Sequence, residues 1–232
     1  MISTAPPKAR ISRRFGLKMV TLAPENVSPE DIAKLVSLGV KVCLGHSNAD
    51  GKIAAAAVAA GATGFTHLYN AMSPLHSRDP GMVGTALISD DCWCGLIADG
   101  HHVSAEAMTL ALKAKPRGKV VLVTDAMSLV GSDEQSFPLF NRIVTRDGDK
   151  LTSTTGELAG SHLDMIGAVR NIRDMCGVEL AEALRMAGLY PAQFLGSEGG
   201  RIEPGAPADM ILIDDELQVK KTWINGQEVF AA

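Results

Sequence analysis

The chain contains no apolar run approaching the roughly 20 residues that a membrane span needs, and its start lacks the apolar core of a secretory signal. A soluble, unexported, cytoplasmic protein with no membrane partner is the expectation. It also lacks a cationic excess. Its 22 Lys+Arg against 26 Asp+Glu leave a formal net charge of -4, which is not the footprint of a nucleic-acid binder. A small-molecule substrate is the better default. Cysteine is scarce and unpatterned: no two of Cys43, Cys92, Cys94 and Cys176 stand at the C-x-x-C spacing of a zinc knuckle or redox pair. They read as reduced core thiols. Cys92 and Cys94, two apart in an apolar run, would share one face of a strand, so a metal role is the rival reading. Acidic residues are missing from Met1 to Met19, a stretch that holds Lys8, Arg10, Arg13, Arg14 and Lys18. That balance superficially suits an organelle transit peptide, but no clear amphipathic period accompanies it.

What is present is a repeating α/β pattern. Lys18 to Ala23 reads as a buried strand stopped by Pro24. Ser28-Pro29-Glu30-Asp31 opens a helix with a hydroxyl cap, proline at the first helical position and an acid at the capping-box position. The unit repeats as strand 40–45, helix 51–60 and strand 63–69. A loop with Pro74, Pro80 and Gly81 follows, then strand 92–98, a helix capped by Ser104, and strand 119–124. Parallel neighbours need crossovers of this length, so the five strands imply a parallel sheet with helices outside it. A complete eight-unit barrel needs about 250 residues. The fold class is therefore α/β, an incomplete TIM-type (β/α) barrel.

After Asp125 the pattern changes. Residues 137–147 and 151–155 suggest an antiparallel hairpin around Asp147-Gly148. Helical patterns over 161–176 and 180–195 follow. The tail returns to β structure, with Asn225-Gly226 the strongest two-residue hairpin signal. The expected organisation is an irregular basic piece over 1–17, a partial barrel over 18–198 with the hairpin near 137–155 inserted in it, and a small β module over 199–232.

Two histidines stand out because they repeat one position. His46 closes the apolar run from Val40 to Leu44, and 21 residues later His67 closes the run from Ala62 to Thr66. In a parallel barrel, catalytic groups sit where strands end, so imidazoles at consecutive exits would face one pocket. A pair of neutral imidazoles suits a zinc-type ion; the rival is two unrelated histidines satisfied by local hydrogen bonds. Other polar residues at strand exits are Asn70, Asp99, His102 and Asp125. A metal held by imidazoles makes water nucleophilic near neutral pH, and Asp125 is placed to take its proton and deliver it to a leaving group. Metal-assisted hydrolysis of an amide or ester is the chemistry these residues support.

Val20-Thr21-Leu22-Ala23-Pro24-Glu25, Gly45-His46-Ser47-Asn48-Ala49, His67-Leu68-Tyr69-Asn70-Ala71-Met72, Asp99-Gly100-His101-His102, Thr124-Asp125-Ala126 and Leu158-Ala159-Gly160-Ser161 occur in one order. With these six motifs the chain resembles the N-acetylglucosamine-6-phosphate deacetylases of the amidohydrolase superfamily, from about Met19 to the C-terminus. The resemblance implies a metal-dependent enzyme that removes acetate from N-acetyl-D-glucosamine 6-phosphate, with zinc or alternatively iron as the divalent cofactor. It implies metal ligation by His46 and His67 and general acid/base work by Asp125. It implies substrate contacts from Asn70, Ala71, Arg78, His102, Ala159 and Ser161.

Each role has a plainer rival. Arg78 would otherwise be a solvated loop residue, Asn70 a turn cap, Ser161 a helix N-cap; His101 competes with His102. Asp99, equally a turn residue, is given no role. His162 departs from the small polar residue usual in the family. The family's His-Leu-Glu-Gly-Pro motif, whose glutamate is a metal ligand, is absent from this sequence, and Glu25 belongs to a different strand exit. A fragment, a shortened product, a homodimer or a barrel completed by another chain is therefore expected. The competing readings are an inactive or partner-dependent member of this family and an amidohydrolase acting on another cyclic amide.

Overall fold

The structure, a computed structural model, describes residues 16–232. Strands β1 (Lys18–Leu22), β2 (Val40–Leu44), β3 (Gly64–Phe65), β4 (Trp93–Ile97) and β5 (Val120–Val123) form one sheet in the order of the chain. Strands β1 to β4 run parallel: Leu22 lies opposite Leu44, Leu44 opposite Phe65, and Phe65 opposite Cys94. Helices α1 (Pro29–Ser37), α2 (Gly51–Ala59), α3 (Gly81–Ile88) and α4 (Ala105–Ala114) make the crossovers. The observed α/β class with a parallel sheet is the expected one.

The helix starts follow from their caps. Ser28 Oγ accepts the Asp31 N–H at 3.1 Å ahead of Pro29, Asp50 Oδ1 accepts from Ile53 at 2.8 Å, and Ser104 Oγ accepts from Ala107 at 3.3 Å. Helix α3 was expected as loop. Its sequence, Gly-Met-Val-Gly-Thr-Ala-Leu-Ile, buries seven of eight positions, so it shows no amphipathic period.

The chain divides into two compact units. The first takes in the described residues up to Gly95 with Ala111–Val120 and Phe194–Ser197; the second comprises Leu96–Leu110, Val121–Gln193 and Glu198–Ala232. The first unit packs Ile32, Val42, Leu44, Phe65, Leu68 and Met82 in one core with the alanine face of α2. Strand β3 is two residues long rather than the seven expected. A Cβ at Gly64 would stand 2.7 Å from Cys43 Sγ and 2.8 Å from the Phe194 ring, so this strand passes close beneath its neighbours. Burial pushes the thiol of Cys43 up to about 11 and that of Cys94 up to about 12.

In the second unit, β6 (Ser136–Leu139), β7 (Arg142–Asp147) and β8 (Lys150–Ser153) form a three-stranded antiparallel sheet where a hairpin was expected. Helix α5 (Met165–Cys176) starts four residues later than Ser161, because Asp164 caps it by accepting the Gly167 N–H at 2.7 Å. The N-cap reading of Ser161 is thereby corrected. The last helical pattern breaks at Gly188 into α6 (Leu180–Ala187) and α7 (Leu189–Leu195). Strands β9 (Met210–Ile213), β10 (Val219–Ile224) and β11 (Gln227–Ala231) form the terminal antiparallel sheet. Asn225 at φ 51° and Gly226 at φ 77° take the two left-handed positions that a type I′ turn requires.

Candidate active site

His46 follows β2 by two residues and sits exposed at φ 50°. A left-handed backbone is disfavoured for a residue with a Cβ and marks a position held by its surroundings. The restraints lie on either side. Before it, Gly45 leaves room for the next strand exit, since a Cβ there would meet Thr66 Cγ2 at 2.2 Å. After it, the Ser47 N–H donates to Ala71 O at 2.9 Å and the Ser73 N–H donates to Ser47 O at 3.1 Å, a short parallel bridge between the loops that follow β2 and β3. Glu25 adds two bonds: Ser47 Oγ donates to its Oε2 at 2.5 Å and the Asn48 N–H to its Oε1 at 3.2 Å. Farther along, Asp79 Oδ1 accepts from the first residues of α2 and α3, Gly51 at 2.9 Å and Gly81 at 3.0 Å. Those two N–H groups hold its carboxyl below the usual range.

These ties bring the two imidazoles together. His46 Nε2 and His67 Nε2 are 2.8 Å apart with ring planes at 84°. His67 is buried, and its Nδ1 lies 3.1 Å from Asn70 O. A carbonyl only accepts, so Nδ1 carries the proton and Nε2 presents a lone pair. One ion can touch both nitrogens from the side on which they converge, at the usual imidazole contact of about 2.0–2.1 Å, so the pair suits a divalent cation as two of its ligands. Among the described residues, no group of three or more His, Cys, Asp and Glu side chains is placed to hold one. Tyr69 and Ala71 are also left-handed, at φ 77° and 48°. Asn70 uses its side-chain amide on Leu68 O at 3.3 Å, and Arg78 lies exposed in the loop ahead of α3.

The second unit holds the remaining candidates. Asp125 follows β5 by two residues, exposed and again left-handed at φ 51°. Its backbone is pinned by Ser161, whose N–H donates to Asp125 O at 2.9 Å and whose Oγ donates to Thr124 O. Ser161 is 1% exposed, and its Oγ also accepts the Leu163 N–H at 3.1 Å, so this hydroxyl is committed inside the protein. Ala159 donates its N–H to Leu151 O at 3.2 Å and packs on the cluster of Leu129, Val144 and Leu151. His162 reaches Leu129 O with Nε2 at 3.2 Å, fixing the loop after Asp125.

The neighbouring histidines differ in surroundings. His101 Nε2 meets Asp149 Oδ1 at 2.9 Å on the surface, whereas His102 Nδ1 meets Asp99 Oδ2 at 2.6 Å with both side chains nearly buried. Burial alone would push the Asp99 carboxyl up. The bond from the His102 ring and the N–H groups of His102 and His101 more than offset it, and the carboxyl is held below its ordinary value. Sequence reasoning gave Asp99 no part here. The Asp-x-x-His spacing at a strand exit is the one sequence signal from which the pair could have been read, and a turn aspartate shares it.

A model described as the amidohydrolase family matches residues 8–229. The chain is 46% identical over 219 residues to an N-acetylgalactosamine-6-phosphate deacetylase of Shewanella sp. (strain ANA-3), covering 94% of this chain and 56% of that protein. It is 38% identical over 219 residues to the N-acetylglucosamine-6-phosphate deacetylase of Vibrio furnissii, covering 93% and 55%. Among solved structures, that of N-acetylglucosamine-6-phosphate deacetylase from Pasteurella multocida matches with a TM-score of 0.88 at 37% identity, over 93% of this chain and 57% of that one. The chain thus spans somewhat more than half the length of these relatives.

Proposed function

Because the chain belongs to the amidohydrolase family, we propose that it serves the hydrolysis of N-acetyl-D-glucosamine 6-phosphate to glucosamine 6-phosphate and acetate, a step of amino-sugar breakdown. The observation that carries this reading is the meeting of His46 and His67 through their Nε2 atoms at 2.8 Å. Similarity over more than nine-tenths of the chain to deacetylases of N-acetylated hexosamine 6-phosphates supports it.

His46 and His67 would hold a divalent cation, zinc first and iron second. Such a cation, when bound, supplies the Lewis acidity that makes water nucleophilic near neutral pH. Asp125 accepts the proton of the attacking water and returns it to the sugar nitrogen as the C–N bond breaks, leaving acetate and the amine. His102 donates to the acetyl carbonyl from Nε2 in its imidazolium form, since a neutral ring with its proton on Nδ1 has nothing to donate there. Asn70, Ala71 and Arg78 grip the phosphate; a guanidinium suits it because it donates two parallel bonds. Ala159 and Ser161 line the sugar, and the internal bonds of the Ser161 hydroxyl support a part for this turn in steadying the Asp125 backbone.

On the same reading, residues 18–198 are a portion of the catalytic barrel with the inserted sheet near 137–155, and residues 199–232 a small β module. A second copy or another polypeptide pairs with β1, where Leu17 and Met19 are 59% and 54% exposed. The site of action is the cytoplasm; no helix among the described residues is long and apolar enough to cross a membrane.

A second substrate is favoured by one specific observation. The 46% identical relative is an N-acetylgalactosamine-6-phosphate deacetylase, which makes the 4-epimer the rival sugar. Acetate release by the purified chain decides, measured on both 6-phosphate epimers, on unphosphorylated N-acetylglucosamine and on a cyclic amide, with bound metal quantified alongside. The expected result is turnover of a 6-phosphate substrate that falls about 10²–10⁴-fold in Asp125→Asn. Full activity in that variant sinks the mechanism, and preference for the cyclic amide sinks the substrate. Metal binding without turnover of any sugar would mark an inactive or partner-dependent family member.

A further inference from the structure

We infer that Asp99 is a positioning residue for His102, fixing the imidazole with its proton on Nδ1 and leaving Nε2 as the ring atom for the substrate. The inference rests on the deacetylase reading for what His102 does, and on geometry alone for what Asp99 does to it. Asp99 Oδ1 accepts the backbone N–H groups of His101 at 2.9 Å and His102 at 2.8 Å, which stops the carboxylate from turning. Its Oδ2 is thereby aimed at His102 Nδ1, 2.6 Å away. The side chains of His102 and Asp99 are 8% and 7% exposed, so water does not compete for the bond. A carboxylate is an acceptor only, so the proton of the pair sits on Nδ1.

The segment that carries Asp99 is itself held. Asn171 of α5 donates its amide to Ala98 O at 2.8 Å, one residue before the carboxylate. The same geometry separates the two adjacent histidines. His101 engages a surface carboxylate through Nε2, the atom that would otherwise meet a substrate, and its partner Asp149 is 79% exposed. His102 is the histidine whose Nδ1 is locked and whose Nε2 is not used by that lock.

Asp99→Asn tests this by inverting the ring. The two backbone N–H groups still need an acceptor, so the amide oxygen stays on their side and the amide nitrogen faces His102. That nitrogen can only donate, Nδ1 must then accept, and the imidazole proton moves to Nε2. Replacing the carboxylate of a histidine–aspartate pair by its amide is known to act through the wrong tautomer in serine proteases.

The experiment is nitrogen-15 NMR of the His102 ring in the full chain and in Asp99→Asn. The expected spectra show the Nδ1–H form in the native chain and the Nε2–H form in the variant. An Nε2–H ring in the native chain overturns the inference, even if the variant fails to fold, and so does an unchanged tautomer in a folded variant. Acetate release gives the second readout. Asp99→Asn should lower kcat by about 10²-fold with little change in KM, because the ring that donates to the carbonyl loses the carboxylate that stabilises its positive charge, and should change kcat less than about twofold in a His102→Asn background, since it acts through that ring. Additive losses would overturn it, because they mean Asp99 acts without His102. Absence of turnover in the native chain would count against the deacetylase reading, while the tautomer spectra would still decide the role of Asp99.

Discussion

His67 and His102 are both set just beyond a strand of the same sheet, and both have Nδ1 engaged by an acceptor, yet the acceptors differ. His67 Nδ1 meets the neutral carbonyl of Asn70 at 3.1 Å, and its other nitrogen faces a second imidazole. His102 Nδ1 meets the buried carboxylate of Asp99 at 2.6 Å. A neutral carbonyl orients a ring without adding charge, which leaves a lone pair suited to a cation. A carboxylate orients the ring and also stabilises any positive charge that develops on it, which suits a group polarising a carbonyl. Under the proposed function, the atom behind each histidine, more than the histidine, separates the ring assigned to the cation from the ring assigned to the substrate.

The largest expected effect comes from breaking the first half of that contrast. His67→Ala removes one of two converging donors and should weaken zinc binding by more than about 100-fold, the upper end of what loss of an outer partner costs; a zinc titration of the purified chain followed by calorimetry measures it. Unchanged affinity would show that the pair is held together by a hydrogen bond and not by a shared ion.

Next is Asp99→Ala, which strands the His102 ring and two backbone N–H groups in a nearly buried place. A loss of about 3–5 kcal/mol in urea unfolding is expected for breaking a buried pair. The pH dependence has a definite sign. The folded-state pKa of Asp99 is lowered, so its contribution is complete above the unfolded carboxyl value of about 3.9 and disappears as pH falls through the lower folded value. Asp99→Asn should flatten the acid limb of the stability curve there; an unaltered limb would mean that the pair is not ionised.

The smallest effect sharpens the comparison from outside. Asp149 is paired with His101 at a similar distance, 2.9 Å, but is exposed to solvent. Its carboxyl is lowered chiefly by that bond, so any contribution is again lost toward acid. Asp149→Asn should change stability by less than about 1 kcal/mol, as exposed ion pairs do, and a thermal melt at low and high salt suffices to show it.

Much of the frame was legible because period and chemistry agreed. The run Val40 to Leu44, the alanine helix and His67 follow one another as a βαβ period should. The turn at Asn225-Gly226 was legible for a similar reason, since few dipeptides take two left-handed positions in succession. Helix α3 was not legible. A helix buried all round has no polar face to give its period away, and Gly81 after Pro80 reads as a loop residue. At the site, residue types showed where His46, His67 and Asp125 fall but not how they are held. The Asp99 lock depends on a carboxylate turning back on its own loop, and a turn aspartate has the same local sequence. The late start of α5 hinged on competition between Ser161 and Asp164 for the cap, which was decided by the bond from Ser161 to Thr124 O.

The left-handed backbones at His46, Ala71 and Asp125 bear on how this chain would drift under laboratory selection. Each such residue costs on the order of 1–3 kcal/mol relative to a relaxed conformation, and glycine or asparagine at these places would relieve it. A library screened for heat resistance alone would therefore favour replacing His46 and Ala71 early, and would keep the sheet while removing two residues of the proposed site. Only selection that also requires turnover or metal retention would hold these two positions in place.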